Sequence, residues 1–202
     1  MIARQAIHRR ALLRSMRDGE EGTAAVEFGL ICTVFFSLLL GVFDMGQAAW
    51  ANATLQGAAQ EAARASSLES GDTAVSDAEL QAMLDEIAPG ATITSSRRSY
   101  YDFDDIDRPE QWNDDDGNGT CNNGESYIDE NGSGSWDADI GKSGNGGAND
   151  VVMYTVSVEY DPIFPNPFAD NGTGKRRIST TVVRKNQPFD DQQEYGADAG
   201  TC

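Results

Sequence analysis

The sequence predicts an α+β protein: a long N-terminal helix, spanning a membrane and continuing as a stalk, packs on a small antiparallel sheet. Three observations predict it. An apolar run of membrane length lies near the N-terminus, an Ala-rich stretch without proline follows it, and strand-like segments occupy the C-terminal half. An acidic Gly/Asp-rich insert separates the first two of those strands. The implied organisation is a basic leader (1–22), a transmembrane helix (23–43), a stalk (44–68) and an exported domain (69–202) with its insert at 102–150.

The anchor comes first. From Phe28 to Phe43 the chain reads FGLICTVFFSLLLGVF, without a charge. Extended back to Thr23, the run spans ~31 Å of helix at ~1.5 Å per residue, matching a hydrocarbon core of ~30 Å. Arg4, Arg9, Arg10, Arg14 and Arg17 all precede it and Asp44 follows it. The positive-inside bias therefore places the N-terminus in the cytoplasm and residues 44–202 across the membrane. A cleaved secretory signal would have a shorter apolar core and an A-x-A site directly after it. The A-x-A matches, Ala49–Ala51 and Ala51–Ala53, lie beyond Asp44 in a helical stretch. A plain signal anchor leaves Glu27 unexplained, since a carboxylate in the apolar segment costs roughly 2.5–3.5 kcal/mol on insertion scales.

The residues around Glu27 read Gly22-Thr23-Ala24-Ala25-Val26-Glu27-Phe28. A glycine, four small or apolar residues, a glutamate and an aromatic resemble the processing site of type IV prepilins, Flp pilins in particular. The wider stretch 17–64 resembles the TadE-like family of the tight-adherence (Tad) pilus machinery. VVRKNQP near the C-terminus is a looser likeness, and Thr33 stands where that family usually has proline. The resemblance implies a minor pilin or pseudopilin that assists pilus assembly and surface adhesion. Prepilin peptidase would cut between Gly22 and Thr23. The protein would sit once through the bacterial inner membrane, its C-terminal domain periplasmic or carried into the extracellular pilus, among other pilins and assembly components. After cleavage the Thr23 ammonium and Glu27 would be helical neighbours, able to pair within or between subunits. Glu27 and Phe28 are thus the candidate assembly residues. The alternative is a signal-anchored, calcium-binding adhesive domain outside any pilus.

Beyond Asp44 the helix pattern continues to about Ser67, with apolar residues at Ala48, Ala51, Leu55, Ala58, Ala62 and Ala65. Gly71-Asp72 breaks it. Ser76-Asp77-Ala78-Glu79 reads as a capping box opening a second helix, and Pro89-Gly90 as its stop. Strands are expected at Ala91–Tyr101, Val151–Tyr160 and Ile178–Arg184, the second with Val152, Tyr154, Val156 and Val158 on one face. A Pro/Gly/Asn-rich link, Asp161–Gly174, joins the last two. Cys121 and Cys202 are the only cysteines in the distal part. In an oxidising compartment they form one disulfide; otherwise they are two free thiols.

The insert holds 14 acidic residues against two basic ones. Two loops recur in it at an offset of 15: DDDGNGTCNNGE from Asp114 and DENGSGSWDADI from Asp129. In the first, Asp114, Asp116, Asn118, the Thr120 carbonyl and Glu125 fall at the ligand places of an EF-hand loop, with Gly119 at the sixth. In the second, Asp129, Asn131, Ser133 and Asp137 fit, but Ile140 stands at the closing position and Asp139 one place early. The expected cofactor is structural calcium, against an acidic disordered segment as the other reading. Trp112, Tyr127 and Trp136 favour order.

The net charge of −18 argues against nucleic acid as a partner. His8, the lone histidine, sits in the leader, and no Ser/His/Asp, Cys/His, P-loop or zinc arrangement is available, so no enzyme is expected. Lys175-Arg176-Arg177 reads as a solvated turn.

Overall fold

The structure is a computed structural model that describes residues 21–68, 72–86, 88–162 and 174–202. The leader arginines, His8, the helix break at Gly71 and most of the Asp161–Gly174 link fall outside these residues. The chain divides into two compact units, one ending at Gln47 and the other Ala48–Cys202.

Helix α1, Glu21–Ser66, carries the anchor and the stalk pattern. In its first part Phe28, Ile31, Leu38, Val42 and Phe43 are all exposed. An 18-residue window there has a mean hydropathy of 2.2, and none of it is buried. Such a surface needs an apolar medium. The two hydroxyls in this stretch bond inside the helix: Thr33 Oγ1 donates to the Gly29 carbonyl at 2.8 Å and Ser37 Oγ to the Thr33 carbonyl at 2.7 Å. That pattern lets polar side chains sit in hydrocarbon.

In the second unit the helix changes its chemistry. Ala51, Leu55, Ala58, Ala59, Ala62 and Ala63 are buried in one cluster with Leu80, Leu84, Tyr154, Val156, Val158 and Tyr160. Small side chains at helical spacing bring the backbone close to its neighbours, and Leu55, 0% exposed, is the largest knob from α1. Burying it fully contributes about 1.5–3 kcal/mol.

Helix α2, Thr73–Asp85, starts three residues before the predicted capping box. Asp72 is the N-cap: its carboxylate accepts from the Ala74 N–H at 2.8 Å and the Val75 N–H at 3.3 Å. Ser76 is buried within the first turn instead, its hydroxyl bonded to the Asp72 carbonyl. Asp72 captures the cap because it supplies an acceptor where the first free N–H groups arise.

Among the described residues six strands follow: β1 Thr92–Tyr100, β2 Ser126–Asp129, β3 Lys142–Ser143, β4 Val151–Tyr160, β5 Arg176–Lys185 and β6 Asp198–Thr201. The main sheet runs β3-β1-β4-β5, all antiparallel, with Ser95 opposite Val156 and Val156 opposite Thr180. Strand β4 is central, so its alternation places Val152, Tyr154, Val156, Val158 and Tyr160 in the core. Strands β2 and β6 form a separate ladder that belongs to the insert and the C-terminus. Helix, meander and helix-on-sheet core match the predicted α+β class.

One side chain locks α2 to the sheet. Asp77 accepts from Arg97 at 3.0 and 2.6 Å, from Tyr154 Oη at 2.6 Å and from Ser95 Oγ at 2.9 Å. Burial alone would raise the Asp77 carboxyl, but these hydrogen bonds outweigh it and hold it below the usual value.

Candidate functional site

The insert is ordered by a short repeat. Glu110–Asn113 runs antiparallel to β2: the Ile128 N–H donates to the Gln111 carbonyl and the Asn113 N–H to the Ser126 carbonyl, each at 2.9 Å. Trp112 bridges to Tyr127 at the middle of this pairing. Each extended piece runs straight into one of the acidic loops.

In the first loop the short side chains turn inward onto the backbone. Asp114 Oδ1 accepts from the Asn118 N–H at 3.0 Å and its Oδ2 from the Gly119 N–H at 2.9 Å. Asp116 Oδ1 also accepts from the Asn118 N–H, at 3.1 Å, and Asn118 Oδ1 accepts from the Thr120 N–H at 2.8 Å. The Thr120 carbonyl accepts from Asn122 Nδ2 at 3.0 Å. Gly119 has φ +78°, a left-handed turn that an L side chain would strain. Glu125 is only 4% exposed. Its Oε1 accepts from the Asp115 N–H at 2.8 Å and the Asp116 N–H at 3.4 Å, and its Oε2 from the Asn122 N–H at 3.0 Å. Oxygens of Asp114, Asp116 and Glu125 lie within 4.8 Å of one another. Three carboxylates so close repel unless a cation offsets them, and an all-oxygen set suits a hard divalent ion.

The second loop has the same backbone design. Asp129 Oδ1 accepts from the Gly132 N–H at 2.7 Å and the Ser133 N–H at 3.0 Å, and Oδ2 from the Gly134 N–H at 2.8 Å. Asn131 Oδ1 accepts from the Ser133 N–H at 2.8 Å. Asp137 Oδ2 accepts from Asn131 Nδ2 at 2.8 Å and Ser133 Oγ at 2.7 Å. Gly134 repeats the left-handed turn at φ +81°. Ile140 does not close this loop because it is buried in a small cluster with Tyr100 and Val151. Asp139 is taken by Arg98 and by the Tyr100 hydroxyl. Burial and that acidic neighbour push the Tyr100 hydroxyl up to about 12.

A residue outside the loop stands at its closing position. Glu110, 0% exposed, places Oε1 against the Glu130 N–H at 2.8 Å and the Asn131 N–H at 3.2 Å, and Oε2 against the Asp137 N–H at 3.0 Å. These are the second, third and ninth places of the loop, the same three that Glu125 holds in the first. Sequence reasoning missed Glu110. A signal existed: carried four residues upstream, the offset of 15 aligns Glu110 with Glu125 and Trp112 with Tyr127.

Cross-links hold this region together. Cys121 and Cys202 are disulfide-bonded across a separation of 81 residues. The Cys202 N–H donates to the Glu125 carbonyl at 2.9 Å and the Gly124 N–H to the Cys202 carbonyl at 3.2 Å, so the C-terminus clamps the end of the first loop. Arg108 forks onto Glu130 at 3.0 and 2.7 Å and reaches Asp105 at 3.0 Å. The Arg108 hydrogen bonds hold the Glu130 carboxyl low, against burial, which would raise it.

The anchor supplies the other candidate residues. Gly22, Thr23, Glu27 and Phe28 all lie exposed on α1. Among the described residues Glu27 makes no hydrogen bond or ion pair.

No curated protein and no solved structure matches the chain. One family does: residues 22–64 match the model described as TadE-like protein. That span covers Gly22, Glu27, the apolar run and the small-residue face of α1. On this segment the chain is similar to TadE-like proteins.

Proposed function

We propose that this protein is a minor pilin or pseudopilin of a Tad-type pilus, working from the inner membrane with other pilins and assembly components. The match of residues 22–64 to TadE-like proteins, laid over an exposed apolar helix, carries the reading. Prepilin peptidase cuts between Gly22 and Thr23, and the new Thr23 ammonium pairs with Glu27 of its own or a neighbouring helix. In hydrocarbon that pair is far better than a lone carboxylate, so the same residue that is costly in one chain sets register in an assembly. The domain beyond the membrane adds surface adhesion. Intact mass of the membrane-extracted protein tests this, with an N-terminus at Thr23 expected. A retained leader in cells with active prepilin peptidase would overturn it. Glu27→Ala is expected to insert normally and to abolish piliation; normal pili would remove the assembly role.

A second reading concerns the domain itself: a calcium-dependent fold, in a pilus or on a permanent anchor. The convergence of Asp114, Asp116 and Glu125 favours it. Asp114, Asp116, Asn118, the Thr120 carbonyl and Glu125 hold calcium in the first loop, ordering the insert and offsetting its charge. Chelation of the full-length protein in detergent is expected to lower its melting temperature. An unchanged melting curve would leave the insert as a loop held by hydrogen bonds alone.

A further inference from the structure

We infer that the outer edge of β5 is a docking site for an extended segment of a partner protein, acidic at both ends and uncharged between them. Neither the pilus reading nor the calcium reading is needed for it.

The edge is long and regular. β5 pairs with β4 along all ten residues, Arg176–Lys185, in an unbroken register, and it ends the order β3-β1-β4-β5. In an antiparallel ladder alternate residues turn their N–H and carbonyl groups away from the partner strand. Among the described residues no strand pairs with those groups on β5. The opposite edge is partly taken: β3 pairs with Arg98 and Ser99 of β1, and the Gly144 N–H donates to the Arg97 carbonyl at 3.1 Å. A long open edge is a template for another strand, and proteins ordinarily shorten it or interrupt it with proline or a bulge. β5 has neither interruption.

The side chains specify what fits. Ile178 and Val182 pack, partly buried, against the helix–sheet core, so apolar residues on a strand beside them would extend that core. Ser179 and Thr181 alternate with them on the exposed face, each 3.0 Å from a hydroxyl of β4, Ser157 and Thr155 respectively. The six residues Ile178–Val183 carry no charge, whereas Arg176 and Arg177 stand at one end and Arg184 and Lys185 at the other. With Lys175 these are half of the ten basic residues that follow Gly22, in a chain of net charge −18. Glu159 reaches one end only, lying 3.8 Å from Lys175 and 2.8 Å from Arg177. Among the described residues Arg184 and Lys185 make no ion pair.

The same charges select the occupant. A second β5 laid antiparallel would set Arg176 and Arg177 against Arg184 and Lys185. Laid parallel, it would set each basic end against its own copy. Like charges facing each other across strands are destabilising, so the edge rejects a second copy and accepts carboxylates. The ten-residue strand is ~33 Å long at ~3.3 Å per residue, so one extended segment of the same length reaches both ends. Backbone pairing then supplies affinity, and the charged ends supply register and selectivity.

Full-length protein in detergent tests this with a fluorescent ten-residue peptide that carries two glutamates at each end and alternates valine with threonine between. Anisotropy is expected to show binding that weakens as salt rises and is at least tenfold weaker when lysines replace the glutamates. Hydrogen exchange is expected to slow at alternate amides of 176–185 and to stay unchanged in β1 and the insert. The double variant R184E/K185E is expected to bind the acidic peptide at least tenfold more weakly. It should prefer a peptide with glutamates at one end and lysines at the other, a gain that a misfolded variant could not show. No binding of the acidic peptide, or equal binding of the glutamate and lysine peptides, overturns the inference. So does protection that falls outside β5, or outward-facing amides of β5 that already exchange slowly in the free protein. A dimer of the free protein that the peptide dissociates gives the edge to a second copy and also overturns it.

Discussion

Two parts of the Ala48–Cys202 unit are ordered by opposite means. The helix–sheet half buries Ala and Leu from α1 and α2 against Tyr154, Val156 and Val158. The insert has only a small apolar cluster around Tyr100, Ile140 and Val151. It is held by carboxylates gripping backbone N–H groups, by Arg108, by the Trp112–Trp136 contact at 5.2 Å and by the Cys121–Cys202 bridge. The difference teaches that an acidic, glycine-rich stretch without a core of its own can still be specific. Each Asp or Asn supplies acceptors that a tight turn needs, and left-handed glycines make the turn possible.

The largest effect should come from the cross-link. Cys121→Ser opens a loop with a separation of 81 residues, and chain entropy then predicts a loss of about 4–5 kcal/mol. Denaturant titration measures that loss. Hydrogen exchange should accelerate across 114–125 far more than across 151–160, and uniform acceleration would show that the two halves are not separately held.

Leu55→Ala tests the other half. At a fully buried site it should cost about 3 kcal/mol, with protection lost first in β4 and α2 rather than in the loops. Loops that loosen as much as the core would break the comparison.

Acid should affect both halves through different residues. Asp77 and Glu130 have carboxyls held below their ordinary values of 3.8 and 4.5. A lowered carboxyl contributes stability that is complete above the unfolded value and is lost as pH falls through the native one. Melting temperature should therefore be flat above about pH 5 and decline below it. Asp77→Asn should flatten the part of the decline that belongs to the core, leaving that of Glu130.

Smallest is the cap. Asp72→Ala should destabilise α2 by about 1 kcal/mol, seen as a modest drop in melting temperature with the insert unchanged. A larger loss would mean that Asp72 does more than cap.

Legibility followed the range of the interactions. The anchor was plain because hydropathy over twenty residues is a local property, and the alternation of Val151–Tyr160 marked the central strand for the same reason. The turn of the first loop was readable because the residues that fold it lie within twelve consecutive positions. The N-cap was misplaced by four residues because Ser76 and Asp72 both offer side-chain oxygens, and only the observed start of α2 selects between them.

By itself the sequence determined the apolar helix with its glutamate, the α+β class, the first acidic loop and the one cysteine pair available to the distal domain. Tertiary structure alone decided how the second loop is closed. Ile140 was drawn into an apolar cluster by burial, and its place went to Glu110 through a β pairing formed across the intervening loop. Periodicity and spacing describe neighbours along the chain, whereas that pairing is settled by which segments meet once the backbone N–H and carbonyl groups have found their partners.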